Sequence, residues 1–121
     1  MSCLFNSLCK IVNVDSFHLR QQICDFLEKE DDNMNVWGDL PPSKIAEFEG
    51  KTLKNYIDEM RKPSTWGGAL EIFVFVNIYK ININVVNIRD RTGKEIEFVG
   101  KDNQTTSKIS WNGGHYEFIH S

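Results

Sequence analysis

The stretch Trp66-Gly67-Gly68-Ala69-Leu70-Glu71-Ile72-Phe73-Val74-Phe75-Val76-Asn77-Ile78-Tyr79, running through Lys80 into Ile81 to Ile88, decides the fold. Its middle, Ile72 to Val76, is β-branched, aromatic and apolar all round, so periodicity alone does not separate a buried helix from a buried strand. Local propensity favours a strand. Beyond Lys80 the pattern is definite: Ile81, Ile83 and Val85 alternate with Asn82 and Asn84, Arg89 to Lys94 supplies turn residues with Gly93, and Glu95 to Val99 alternates again. That reads as a β-hairpin. Gly100 to Ser107 reads as a polar loop, Lys108 to Trp111 as a short strand, Asn112-Gly113-Gly114 as a turn and His115 to His120 as a final strand.

Upstream the chain is helical. Leu4, Phe5, Leu8, Ile11 and Val12 recur at helical spacing, so a helix begins near Cys3. Asp15 or Ser16 can cap a second helix whose apolar face carries Leu19, Ile23, Phe26 and Leu27. Asp31 to Leu40 reads as a loop. Pro41-Pro42 opens a short helix that Gly50 ends, and Leu53, Tyr56, Ile57 and Met60 mark another, stopped by Pro63. Helices first and strands last predict an α+β domain, a helical half packed on a small, mainly antiparallel sheet.

With 121 residues, of which 40% are apolar, the chain suits one compact domain spanning residues 1–121. A domain of this size buries roughly two-thirds of its unfolded surface and needs no disulfide or metal staple. Net charge is −3 with no basic run, which argues against a nucleic-acid partner. No apolar stretch approaches the ~20 residues of a membrane span, and Met1 to Leu8 lacks the basic leader of a signal peptide. Cys3, Cys9 and Cys24 form neither a CxxC pair nor a zinc spacing, so reduced intracellular thiols are expected, with no cofactor and no metal.

Two positions suit chemistry. A cysteine at a helix N-terminus meets unpaired N–H groups and the positive end of the helix dipole, which favour the thiolate; Cys3 is so placed. His115 is a candidate base. Residues two apart on a strand share a face, so Glu117 lies beside His115, roughly 7 Å along the strand, where a carboxylate can orient an imidazole. Cys9 and Cys24, on apolar helix faces, read as small buried hydrophobes. His18, at a helix start, and His120, at the C-terminus, carry no such pattern.

Cys3-Leu4-Phe5-Asn6-Ser7-Leu8 resembles the nucleophile motif of the OTU (ovarian tumour) cysteine proteases, in which Asp-Gly-x-Cys-Leu-Phe enters the first helix. Trp66-Gly67-Gly68-Ala69-Leu70-Glu71 is similar to the family's Trp-Gly-Gly-x-x-Glu block, His115-Tyr116-Glu117 to its His-Tyr block, and Leu19-Arg20 to a Leu-Arg pair in its second helix. The resemblance spans nearly the whole chain and implies an OTU-like, papain-like cysteine protease fold. It also turns the ambiguous stretch into a buried helix reaching about Tyr79.

The implied activity is hydrolysis of ubiquitin or a ubiquitin-like modifier from its conjugates after the modifier's Gly-Gly. Cys3 would be the nucleophile, His115 the base and then acid, and Glu117 the orienting residue. Trp66, Gly67 and Gly68 would help shape the cleft, or simply begin a helix and pack. The modifier would be the partner of a cytoplasmic monomer, in the host cytosol if the chain is a viral protein or an effector.

Two positions depart from the family pattern. Only Met1 and Ser2 precede Cys3, where the family carries its Asp-Gly. The loop there helps to form the oxyanion hole, and losing one donor costs on the order of a hundredfold to a thousandfold in rate. A domain shortened at its N-terminus is therefore expected, and the alternative activity is a catalytically weakened ubiquitin-binding module. Glu117 stands where Asp or Asn is commoner, with Asn112 as a second candidate orienter.

Overall fold

The computed structural model describes residues 3–30, 40–92, 94–100 and 102–119. Among these residues five helices precede four strands: α1 (Cys3–Val12), α2 (Ser16–Glu30), α3 (Pro42–Phe48), α4 (Leu53–Met60), α5 (Ala69–Tyr79), β1 (Ile81–Asn87), β2 (Glu95–Phe98), β3 (Thr105–Trp111) and β4 (Tyr116–Phe118). The expected loop over 31–40 falls almost wholly outside the described residues, as does His120. Among the described residues no helix is long and apolar enough to cross a membrane.

The decisive stretch is a helix. Leu70, Ile72, Val74, Phe75 and Val76 are all buried, because α5 packs against α2 on one side and against β1 and β2 on the other. A helix enclosed by two layers has no polar face to display, so its sequence loses the amphipathic period that would identify it. Lys80, in the left-handed region at φ 58°, closes α5 with its N–H on the Val76 carbonyl at 3.1 Å and turns the chain straight into β1.

The sheet order is β2-β1-β3-β4. Two of its ladders, β1 with β2 and β3 with β4, are antiparallel as expected. The central ladder is parallel, from Ile81 opposite Thr105 to Asn87 opposite Trp111. That pairing recruits Thr105-Thr106-Ser107 into β3, three residues earlier than the sequence suggests; these polar residues read as loop because their partner strand, rather than their composition, makes them extended. Ile83, Val85, Phe98 and Ile109 form the buried face of the sheet. Asn84, Glu97 and Lys108 share the opposite face and its register row.

The helical layer is joined to α5 by a buried cation. Arg20 of α2 is 1% exposed, and its guanidinium donates to the carbonyls of Met60 at 2.7 Å, Thr65 at 2.8 Å and Pro63 at 3.3 Å. The same group lies 4.2 Å over the Phe5 ring of α1, a cation–π contact. Burial pushes the Arg20 pKa down, while Cys24 and Glu71 act to raise it. Gln21 and Arg61 clamp the same turn from outside: Gln21 donates to the Arg61 carbonyl at 2.9 Å, and the Arg61 guanidinium reaches Gln21, Asp25 and Glu28.

The turn held in this way delivers Gly67 onto α1. A Cβ at Gly67 would sit 2.8 Å from Leu4 Cδ2 and 2.9 Å from Phe5 Cε2, both on buried side chains, whereas one at Gly68 meets nothing nearer than Glu71 Oε1 at 4.0 Å. Gly67→Ala is expected to cost about 1–3 kcal/mol by overpacking, and Gly68→Ala less; denaturant unfolding of the two variants checks the order.

Glu71, wholly buried at the third position of α5, accepts from the Gly68 N–H at 2.7 Å and the Tyr56 hydroxyl at 2.6 Å. Burial is the main cause that lifts its pKa to about 7, against an ordinary value of 4.5. Between those values the folded protein holds a proton that the unfolded chain has lost. The associated stability is complete below pH 4.5 and is lost as pH rises through about 7, a change of roughly 3 kcal/mol. Glu71→Gln keeps an acceptor for Gly68 and gives the Tyr56 oxygen a donor, so melting temperatures measured between pH 4.5 and 8 should fall less steeply for this variant than for the parent.

Candidate active site

α1 places Cys3 at the N-terminal end of a helix whose Leu4, Phe5 and Leu8 are driven into the core. The buried Ser7 hydroxyl donates to the Cys3 carbonyl at 2.8 Å, tying down the first turn. α1 also packs against β4, which brings the start of the chain beside its far end. Between them lies a cleft of about 370 Å³, lined on one side by Cys3, Asn6, Ser7 and Lys10 and on the other by His115 to Phe118. The helical side shares one face because its residues are spaced by three, four and seven.

His115 sits at the mouth of β4, at the end of the 112–114 turn. Asn112 builds that turn: its side-chain oxygen accepts from the N–H of Gly114 at 3.1 Å and of His115 at 2.9 Å, and its own N–H donates to the His115 carbonyl at 3.2 Å. Asn112 therefore engages the backbone that carries the imidazole, in place of the orienting contact considered from the sequence. Gly113, at φ 102°, lies under Arg89, whose Nη1 would be 2.9 Å from a Cβ there. Tyr116 pairs with Trp111 across the β3–β4 ladder, their rings 6.5 Å apart, and burial raises the Tyr116 pKa.

His115 Nε2 lies 3.3 Å from Glu117 Oε1, with the imidazole half exposed and the carboxylate largely so. A carboxylate at Nε2 favours the tautomer with the proton on that nitrogen and leaves the Nδ1 lone pair free to accept. Among the described residues no hydrogen bond joins Cys3 Sγ to the ring; the two groups share a cleft, and thiol-to-imidazole contacts often close only when substrate binds.

The other sequence candidates have structural duties. Cys24 is buried, and burial pushes its thiol up to about 12. Cys9 donates to the Asn6 carbonyl at 3.2 Å, and burial raises its pKa also. His18 pairs with Asp15 at 2.8 Å, and its backbone N–H meets the same oxygen at 3.1 Å, forming an exposed cap on α2. Trp66, Gly67 and Gly68 line a separate cavity of about 320 Å³ with Tyr56, Met60 and Leu70. Gly67 meets the Cys3 helix by packing on Leu4 and Phe5. The sequence alone assigned no role to Glu71, quoted only as the end of the Trp-Gly-Gly-x-x-Glu block, or to Arg89. Glu71 had a legible signal, an acid three residues after a glycine at a helix start; Arg89 had none, since its place depends on how two loops meet. Among the described residues no group of three or more His, Cys, Asp or Glu side chains forms a metal-binding cluster.

Comparison with known proteins shows the family and the fold. The family model described as OTU-like cysteine protease matches residues 2–116. The chain is 33% identical over 124 residues to the chicken protein named ubiquitin thioesterase OTU1, covering 96% of this chain and 37% of that protein. It is 36% identical over 70 residues to the mouse protein of the same name, covering 56% of this chain and 20% of that one. The chain thus spans between a fifth and about two-fifths of the length of these relatives. Among solved structures, an ovarian tumour domain in complex with ubiquitin superposes with a TM-score of 0.73 at 25% identity, covering 97% of this chain and 62% of the other. The fold is also that of an OTU deubiquitinase from Wolbachia pipientis wMel, with a TM-score of 0.65 at 19% identity, covering 99% of this chain and 90% of that one. A cysteine at the head of the first helix, a histidine just before the last strand and a family match across residues 2–116 make this chain a member of the OTU-like cysteine protease family.

Proposed function

We propose that this chain is a cysteine-type deubiquitinating peptidase, which hydrolyses the isopeptide, peptide or thioester bond following the C-terminal Gly-Gly of ubiquitin or a ubiquitin-like modifier. The observation that carries the reading is the shared cleft, with Cys3 on one wall and His115, 3.3 Å from Glu117, on the other. The names of the relatives, ubiquitin thioesterases, and the ubiquitin-bound neighbour support the choice of modifier. Three free cysteines support a reducing, cytoplasmic setting.

In this mechanism His115 Nδ1 takes the Cys3 proton, and the sulfur attacks the carbonyl carbon of the modifier's terminal glycine. N–H groups at the start of α1 face the oxyanion. The tetrahedral intermediate collapses to a thioester as His115 passes its proton to the departing amine. Water, deprotonated by the same imidazole, then attacks the thioester, releasing the modifier's carboxylate and returning the proton to sulfur. Glu117 holds the imidazolium through Nε2.

A ubiquitin probe with a C-terminal electrophile should form an adduct on Cys3, located by peptide mass spectrometry, and Cys3→Ala should abolish it. Lack of adduct on folded protein overturns the enzymatic reading; ubiquitin binding without cleavage, unchanged by Cys3→Ala, would select the weakened binding module. His115→Ala is expected to reduce hydrolysis of a ubiquitin–fluorophore substrate to background. Because Glu117 is exposed and acts only through the imidazole, Glu117→Ala should cost less, roughly tenfold to a hundredfold in kcat/KM.

A further inference from the structure

We propose that Glu71 is a positioning residue for the thiol: its carboxyl sets how Gly67 seats on Leu4 and Phe5, and thereby where the first turn of α1 holds Cys3. The inference rests on the reading of Cys3 as nucleophile.

The chain of contacts is short and almost entirely buried. Glu71 Oε1 accepts the Gly68 N–H, and that N–H belongs to the rigid peptide plane that also contains the Gly67 carbonyl. Fixing one end of the plane fixes the other. Gly67 in turn meets Leu4 and Phe5 so closely that one added carbon would overlap both, and Leu4 adjoins Cys3 in the chain. Glu71 Oε2 accepts from Tyr56 of α4, so the carboxyl spans the two ends of the turn that Arg20 grips through Met60, Pro63 and Thr65. Arg20 also stacks on Phe5. The first turn of α1 is thus seated between a guanidinium on the Phe5 ring and a glycine whose peptide the carboxyl orients. Tight packing makes such a seat discrete, since side chains with no free volume cannot slide.

A residue that merely stabilised the domain would lower its melting temperature and leave the folded site intact. A positioning residue changes the site in protein that is still folded, and a side chain with the same hydrogen-bonding reach restores it. Glu71→Ala leaves the Gly68 N–H and the Tyr56 hydroxyl without their acceptor. Glu71→Asp keeps the carboxyl but is one methylene too short to meet both. Glu71→Gln serves both, accepting from Gly68 and donating to the Tyr56 oxygen.

The experiment compares these variants with the parent at a temperature where near-ultraviolet circular dichroism shows each to be folded. Glu71→Ala and Glu71→Asp are expected to slow labelling of Cys3 by the ubiquitin electrophile by about tenfold or more and to speed hydrogen exchange at the amides of Leu4 to Leu8. Glu71→Gln should restore both to near the parent values. If Glu71→Ala fails to fold, Glu71→Asp carries the comparison. Parent-like labelling and exchange in a folded Ala or Asp variant overturns the proposal, as does a Gln variant as slow as Ala. If the parent itself gives no adduct, the enzymatic reading has failed, and exchange at Leu4 to Leu8 still decides the role of Glu71.

Discussion

A buried guanidinium holds the helices of this fold in register around one irregular turn. Arg20 projects from α2 into a site from which water is excluded and finds three backbone carbonyls of the turn between α4 and α5, together with the face of Phe5. The turn has no regular secondary structure to satisfy those carbonyls, and unpaired they would each carry a desolvation cost of about 1–3 kcal/mol. Arginine suits the position because its planar fork offers several fixed donors at once, where lysine would offer a point charge. The guanidinium converts an irregular segment into a rigid one, and the Cys3 helix, the start of α5 and the cavity beside Trp66 are all set against that segment.

Glu71 is its counterpart on the other side of the turn, with a different electrostatic outcome. Arg20 stays charged because its ordinary pKa lies far above neutrality and burial has ample range to lower it. A carboxyl has little such range, and burial brings Glu71 to about 7. The two groups are linked electrostatically, yet their described hydrogen bonds run elsewhere: Arg20 donates to backbone carbonyls, and Glu71 accepts from a backbone N–H and a phenol. This arrangement specifies geometry more than it adds stability, as buried polar networks often do.

The order of helices and strands and the hairpin were legible because they rest on local periodicity. Cys3 was legible from its place at a helix start and His115 from strand spacing with Glu117, then both as motifs, but nothing in residues 3 and 115 requires them to meet until α1 packs on β4. The nature of α5 was hidden for the reason that makes it central: enclosed between α2 and the sheet, Ile72 to Val76 needed no polar face, and resemblance rather than period identified the helix. The parallel β1–β3 ladder was hidden because Thr105 to Ser107 owe their extended form to a partner strand more than 20 residues away. Asn112 was read through its chemistry as a possible partner for the imidazole, yet its oxygen is spent on two backbone N–H groups; side-chain type gives the donors and acceptors, and turn geometry decides which are already engaged.

The site contrasts with the scaffold in how it treats water. Arg20 and Glu71 are sealed, whereas the His115 imidazole is half exposed and Glu117 more so. An ion-pair contact between exposed partners is weak, because water competes for both. An orienting pair of this kind becomes effective only when something covers it, and a bound protein tail lying along the cleft between α1 and β4 would do so, strengthening the His115–Glu117 contact as solvent leaves. Buried groups fix the turn on which the Cys3 helix is seated, whereas the exposed Asn112 turn carries His115; on the proposed function, the electrostatics of the pair would be completed by the substrate. On that reading, such a division would tie turnover to occupancy of the cleft, so that a thiol near the surface would be activated chiefly when a polypeptide of the right shape had displaced the water around it.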